Sequence, residues 1–96
     1  MASGYQRLRW WSITEGGWVE RLSVPDANGA EHWMQITDHA GADEDYRHLS
    51  TAERRLQRLA AVEAIQRHID LGGPPGEVVL LAHEWAGLLA EMKMGA

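Results

Sequence analysis

The spacing of apolar residues changes once along this chain. From Tyr5 to Thr37 apolar and polar side chains mostly alternate, and from Ser50 to Met94 apolar residues recur every third or fourth position. Alternation is the pattern of a strand with one buried side, and a three-to-four spacing is that of a helix face. The first region divides at two turn signals, Glu15-Gly16-Gly17 and Pro25-Asp26-Ala27-Asn28-Gly29. Both are rich in the residues that reach turn geometry at low cost. The pattern predicts a three-stranded antiparallel meander over about residues 5–37.

Within the first strand Leu8 and Trp10 fall on one face, and Trp11 and Ile13 on the other. In the second, Trp18, Glu20, Leu22 and Val24 oppose Val19, Arg21 and Ser23. In the third, His32, Met34 and Ile36 oppose Trp33 and Gln35. Adjacent tryptophans on one strand point to opposite faces, so Trp10 and Trp11 are both buried only if both faces of the sheet are covered.

Residues 38–49 read as an acidic linker with Asp38, Asp43, Glu44 and Asp45. Ser50-Thr51-Ala52-Glu53 then has the form of a capping box, with serine as the cap and glutamate three residues on. The helix it opens is expected over about 51–71, with Leu56, Leu59, Val62, Ile65 and Ile69 as its apolar positions. A spacing of three drifts by roughly 60° per step around an α-helix. The start of this helix is therefore expected to meet the sheet and its end a second helix. Gly72-Gly73 stops it. Pro75 suits a first helical position, so the second helix is placed at about 75–93. Its seam is Val78, Leu81, Trp85, Leu88 and Met92. The predicted class is α+β: a meander followed by a two-helix hairpin packed on one face, all in one domain of 1–96. The second helix is apolar over more than half its surface. Either the rest of the domain or a second subunit covers it, which makes a homodimer through this helix an alternative to a monomer.

Ninety-six residues with 45% hydrophobic content suffice for a single small core. Phenylalanine is absent, and five tryptophans take the large aromatic role. There is no cysteine, which removes disulfides, thiolate metal sites and cysteine nucleophiles. The N-terminal residues lack the apolar run of a signal peptide, and no stretch reaches the length of a membrane span. The expected location is cytoplasmic.

Enzyme motifs are missing. No G-x-S-x-G, phosphate-loop lysine motif or dinucleotide fingerprint is present. The turn Gly72-Gly73-Pro74-Pro75-Gly76 makes a poor phosphate cradle, because consecutive prolines remove the backbone N–H donors. The five histidines, His32, His39, His48, His68 and His83, do not stand at metal-ligand spacings. No cofactor and no metal are expected. A small enzyme or metal protein using His and Asp residues is the reading that these absences disfavour.

Charge leaves two binding readings. The net charge is −5. Against it, Arg47, His48, Arg54, Arg55 and Arg58 cluster at the start of the first helix. One reading is nucleic-acid binding, with the arginines on phosphates and the sheet tryptophans stacking on bases. The acidic balance favours the other, a non-enzymatic protein-interaction module: an adaptor, regulator or inhibitor that occupies a partner protein's surface. The residues expected to carry it are Trp11, Trp33, Arg9, Arg54, Arg55 and Arg58. In size and makeup the chain is similar to small acidic accessory proteins of phages and mobile elements, among them inhibitors of defence nuclease complexes.

Overall fold

Two glycine turns and their flanking strands build most of the sheet. A computed structural model describes residues 4–14, 16–39 and 51–95. Strand β1 is Gln6–Ser12, β2 is Gly17–Pro25 and β3 is Glu31–His39. β1 pairs with β2, and β2 with β3, both antiparallel. Both registers run without a bulge. Gly16 and Gly29 take positive φ at 71° and 84°, a conformation that costs glycine no clash.

Asp26 holds the second turn together. Its Oδ1 accepts from the Asn28 and Ala30 N–H groups at 2.9 and 3.0 Å. Its Oδ2 accepts from His32 Nε2 at 2.8 Å, and the His32 ring is buried. These bonds, led by the one from His32 and partly opposed by burial, hold the Asp26 carboxyl below the usual carboxylate range. A lowered folded-state value gives a stability contribution that is present above the unfolded value, about 4, and is lost as the pH falls below it. The melting temperature should therefore fall on acidification through that range. Asp26→Asn keeps the acceptor for the turn but loses the ionised group, so its melting curve should be lower at neutral pH and flatter toward acid. An unchanged acid slope in Asp26→Asn would place the titration elsewhere.

Helix α1 spans Thr51–Asp70 and lies across β2 and β3. Its buried residues are Ala60, Ala61, Ala64 and Ile65. The larger Leu59 that the spacing placed on the apolar face is exposed. Small side chains let the helix approach the sheet closely, and Leu22, Val24 and Met34 fill the contact from below. The helix ends in a Schellman motif: Gly72 N–H donates to the Ile69 carbonyl and Gly73 N–H to the His68 carbonyl, each at 2.9 Å. Gly72 has φ of 78°.

The second helix differs from expectation at its start. It runs Ala82–Met94 as α2 and does not begin near Pro75. Gly76–Glu77 instead forms a two-residue strand, β4, parallel to β3, with His32 opposite Gly76 and Trp33 opposite Glu77. The Val78 N–H continues the pairing to the Trp33 carbonyl at 2.8 Å. Gly76 has φ of 113°, which is incompatible with helix, and the following Val78-Val79 are β-branched and prefer an extended chain. The heptad seam is therefore interrupted. Val78 is buried from an extended segment and Leu81 is exposed, while Leu88 is buried in α2 and Trp85 and Met92 pack beside it, half-buried. At the N-terminus of α2, Leu81 N–H donates to Glu84 Oε1 at 3.0 Å. The sheet order is β1-β2-β3-β4. The α+β architecture is as predicted, with a fourth strand added. Ser50 and most of the acidic linker lie outside the described residues, as does the side chain of Glu53, so the expected capping box does too. No helix among the described residues is long and apolar enough to cross a membrane.

Candidate functional site

Register decides which side chains share a surface. On the face toward the helices lie Arg7, Arg9 and Trp11 of β1, Glu20, Leu22 and Val24 of β2, and His32, Met34 and Ile36 of β3. On the distal face lie Leu8 and Trp10, then Val19, Arg21 and Ser23, then Trp33 and Gln35. Trp11 and Trp33, both named among the expected contact residues, are thus on opposite faces. Trp33 shares its face with Trp10.

The centre of the distal face is a stack. The Arg21 guanidinium carbon lies 4.0 Å from the Trp33 ring centre and 5.7 Å from that of Trp10. Both distances are within the range of cation–π attraction. Leu8 stands opposite Arg21 in register and is 63% exposed. Trp10 is 36% exposed. Val19, opposite Trp10, is buried.

β1 is one of the two outer strands of the sheet, and it is exposed on both faces. On the helix side Trp11 is 50% exposed, and beyond the strand end Ile13 is 92% exposed. An edge strand with large apolar groups on both sides is poorly protected against pairing with another chain.

The arginines singled out in the sequence are arranged differently. Arg58 of α1 reaches Glu20 at 3.7 Å, and Arg7 of β1 meets the same carboxylate at 2.6 Å. Glu20 thus ties β1 and α1 to β2. Arg9 and Arg54 are each engaged in an interaction of their own, and Arg55 is exposed. Arg47 and His48 lie outside the described residues. Trp33 belongs to the distal face, whereas Trp11 and Arg9 belong to the other face and Arg54, Arg55 and Arg58 to α1. Sequence reasoning missed Arg21, Trp10 and Leu8 as a group. The register that the Gly16 and Gly29 turns set is what brings them together.

A concavity lies between the helices. It has a volume of about 500 Å³ and a lining that includes Ala64, Val78, Leu80 and Leu88, with Arg67, His68 and His83 among its polar groups. Arg67 is held by Glu63 at 3.1 Å and by Glu91 at 3.4 Å. His68 Nε2–H donates to the Pro74 carbonyl at 2.9 Å, and its ring meets the His32 ring edge-on, 5.4 Å between centres. Among the described residues no three His, Asp or Glu side chains converge as metal ligands would.

A scan against protein-family models, a search of curated proteins and a search of solved structures each found no match to this chain.

Proposed function

We propose that this chain is a non-enzymatic protein-interaction module whose contact surface is the distal face of the sheet. One observation carries the reading: Leu8 and Trp10 stand exposed on an edge strand beside the Arg21–Trp33 stack. Tryptophan and arginine are the residue types that most often dominate binding energy at protein interfaces. Exposed apolar groups gathered on one surface are unfavourable in water unless a partner covers them. The module acts by occupancy, as an adaptor, regulator or inhibitor.

Affinity capture from the native host tests this. Wild-type protein should retain a protein partner after nuclease treatment. The double variant Leu8→Asp with Trp10→Ala should lose it, with affinity reduced by about 30-fold or more, since hot-spot truncations cost about 2 kcal/mol or more. Leu8 is exposed, and exposed substitutions leave stability within about 0.5 kcal/mol. A melting temperature for the double variant checks that the fold survives. Retention of the same partner by the folded variant would place the contact elsewhere.

A further inference from the structure

The distal face holds a cation without a counter-charge. Arg7, Arg58 and Arg67 each meet a carboxylate. Among the described residues Arg21 meets none, and its Nε is buried with no hydrogen-bond partner. A carboxylate on the guanidinium would supply the counter-charge that Arg21 lacks. The neighbouring polar positions on this face, Gln6, Ser23 and Gln35, are neutral. The acidic residues that register places there, Glu31 and Glu77, stand beyond Trp33 from Arg21.

We infer that the occupant of this face is an extended acidic segment of a partner protein, with a Glu or Asp carboxylate on the Arg21 guanidinium and apolar side chains on either side of it. The inference rests on the reading of the distal face as an interface and adds the chemistry of what binds. The flanking apolar groups rest on Leu8 and Trp10 on one side and on Trp33 on the other. An extended segment suits this spacing, because its alternate residues point to one face. The two indoles lie beside the guanidinium and limit its access to water, which strengthens a charge-assisted hydrogen bond. A nucleic-acid strand fits less well. It needs several cations to neutralise successive phosphates, whereas among the described residues the strands place one on this face.

The test uses the full chain and two blocked peptides, acetyl-Leu-Thr-Glu-Thr-Leu-amide and its Gln counterpart. Binding is followed by NMR at the Arg21 Nε–H and the tryptophan indole N–H signals. The Glu peptide should shift the signals of Arg21, Trp10 and Trp33. The Gln peptide should bind about tenfold more weakly, the size expected for losing one charge-assisted hydrogen bond. Arg21→Gln should abolish the preference for Glu over Gln, and Arg21→Lys should keep part of it. Melting curves of both variants establish that they are folded.

Equal binding of the two peptides would overturn the acidic occupant and leave the distal face standing as an interface. Absence of any shift with the Glu peptide would also overturn it, and the capture with the Leu8→Asp, Trp10→Ala double variant then decides the wider reading separately. Tighter binding of an oligothymidylate strand than of the Glu peptide would overturn it in favour of a nucleic-acid ligand.

Discussion

Ile65→Ala should destabilise this protein by about 2–5 kcal/mol, the range for emptying a fully buried aliphatic site. Ile65 is among the largest fully buried side chains, with Leu22. Its neighbours on the buried side of α1 are Ala60, Ala61 and Ala64. Three alanines offer little volume to flow into the space that Ile65 leaves. The cost therefore belongs toward the upper end of the range. A domain of this size has a total stability of about 5–15 kcal/mol, so the variant should lose a large share of it. Urea denaturation reads this directly: the midpoint should fall while the slope stays constant, because the surface exposed on unfolding is unchanged. A loss under about 1 kcal/mol would mean that α1 does not seat on the sheet through Ile65.

Gly73→Ala should cost about 1–3 kcal/mol by overpacking. A Cβ at Gly73 would collide with the imidazole of His68. That ring is held on one side by the Pro74 carbonyl and lies against His32 on the other. To make room it must give up the hydrogen bond to Pro74 and its place beside His32, whose own contact with Asp26 fixes the far turn. The collision has a specific remedy. In the double variant with His68→Ala the methyl has space, so the two substitutions together should cost less than the sum of each alone. A coupling of about 0.5–3 kcal/mol is the size expected for residues in contact. Strict additivity of the two changes in melting experiments would show that the ring is not the obstacle.

The meander and the first helix were legible because each has one dominant signal. Alternation and two glycine turns define the strands, and a long periodic run ending in Gly72-Gly73 defines α1. The start of α2 was not legible for a physical reason. Val78 and Leu81 continue the helical spacing by coincidence, while the left-handed Gly76 and the free edge of β3 draw that segment into extended structure. The buried side of α1 was hidden in a similar way. The large residues drew attention, but close packing on the sheet selected the alanines.

The candidate surface was half legible. That Trp10 and Trp11 could both be buried only under two covered faces followed from their being adjacent. Which aromatics stand together did not, because a one-residue change in register moves every side chain to the other face. The arginine cluster at the start of α1 was conspicuous in sequence, yet Arg58 is drawn to Glu20. The isolated Arg21 of β2 gains its interest only from the two indoles that adjacent strands bring to it.

β4 has a consequence in chain entropy. The two meander turns close short loops, whereas setting Gly76 beside His32 closes a loop that contains all of α1. Closure entropy grows with the logarithm of loop length, and a tenfold longer loop costs about 2 kcal/mol more. Two paired residues recover little of that. The strand stays in place because Val78, just beyond it, is buried with α1 and α2 in the core. The fourth strand is thus conditional on the helices, and its pairing marks the joining of the two halves of the chain.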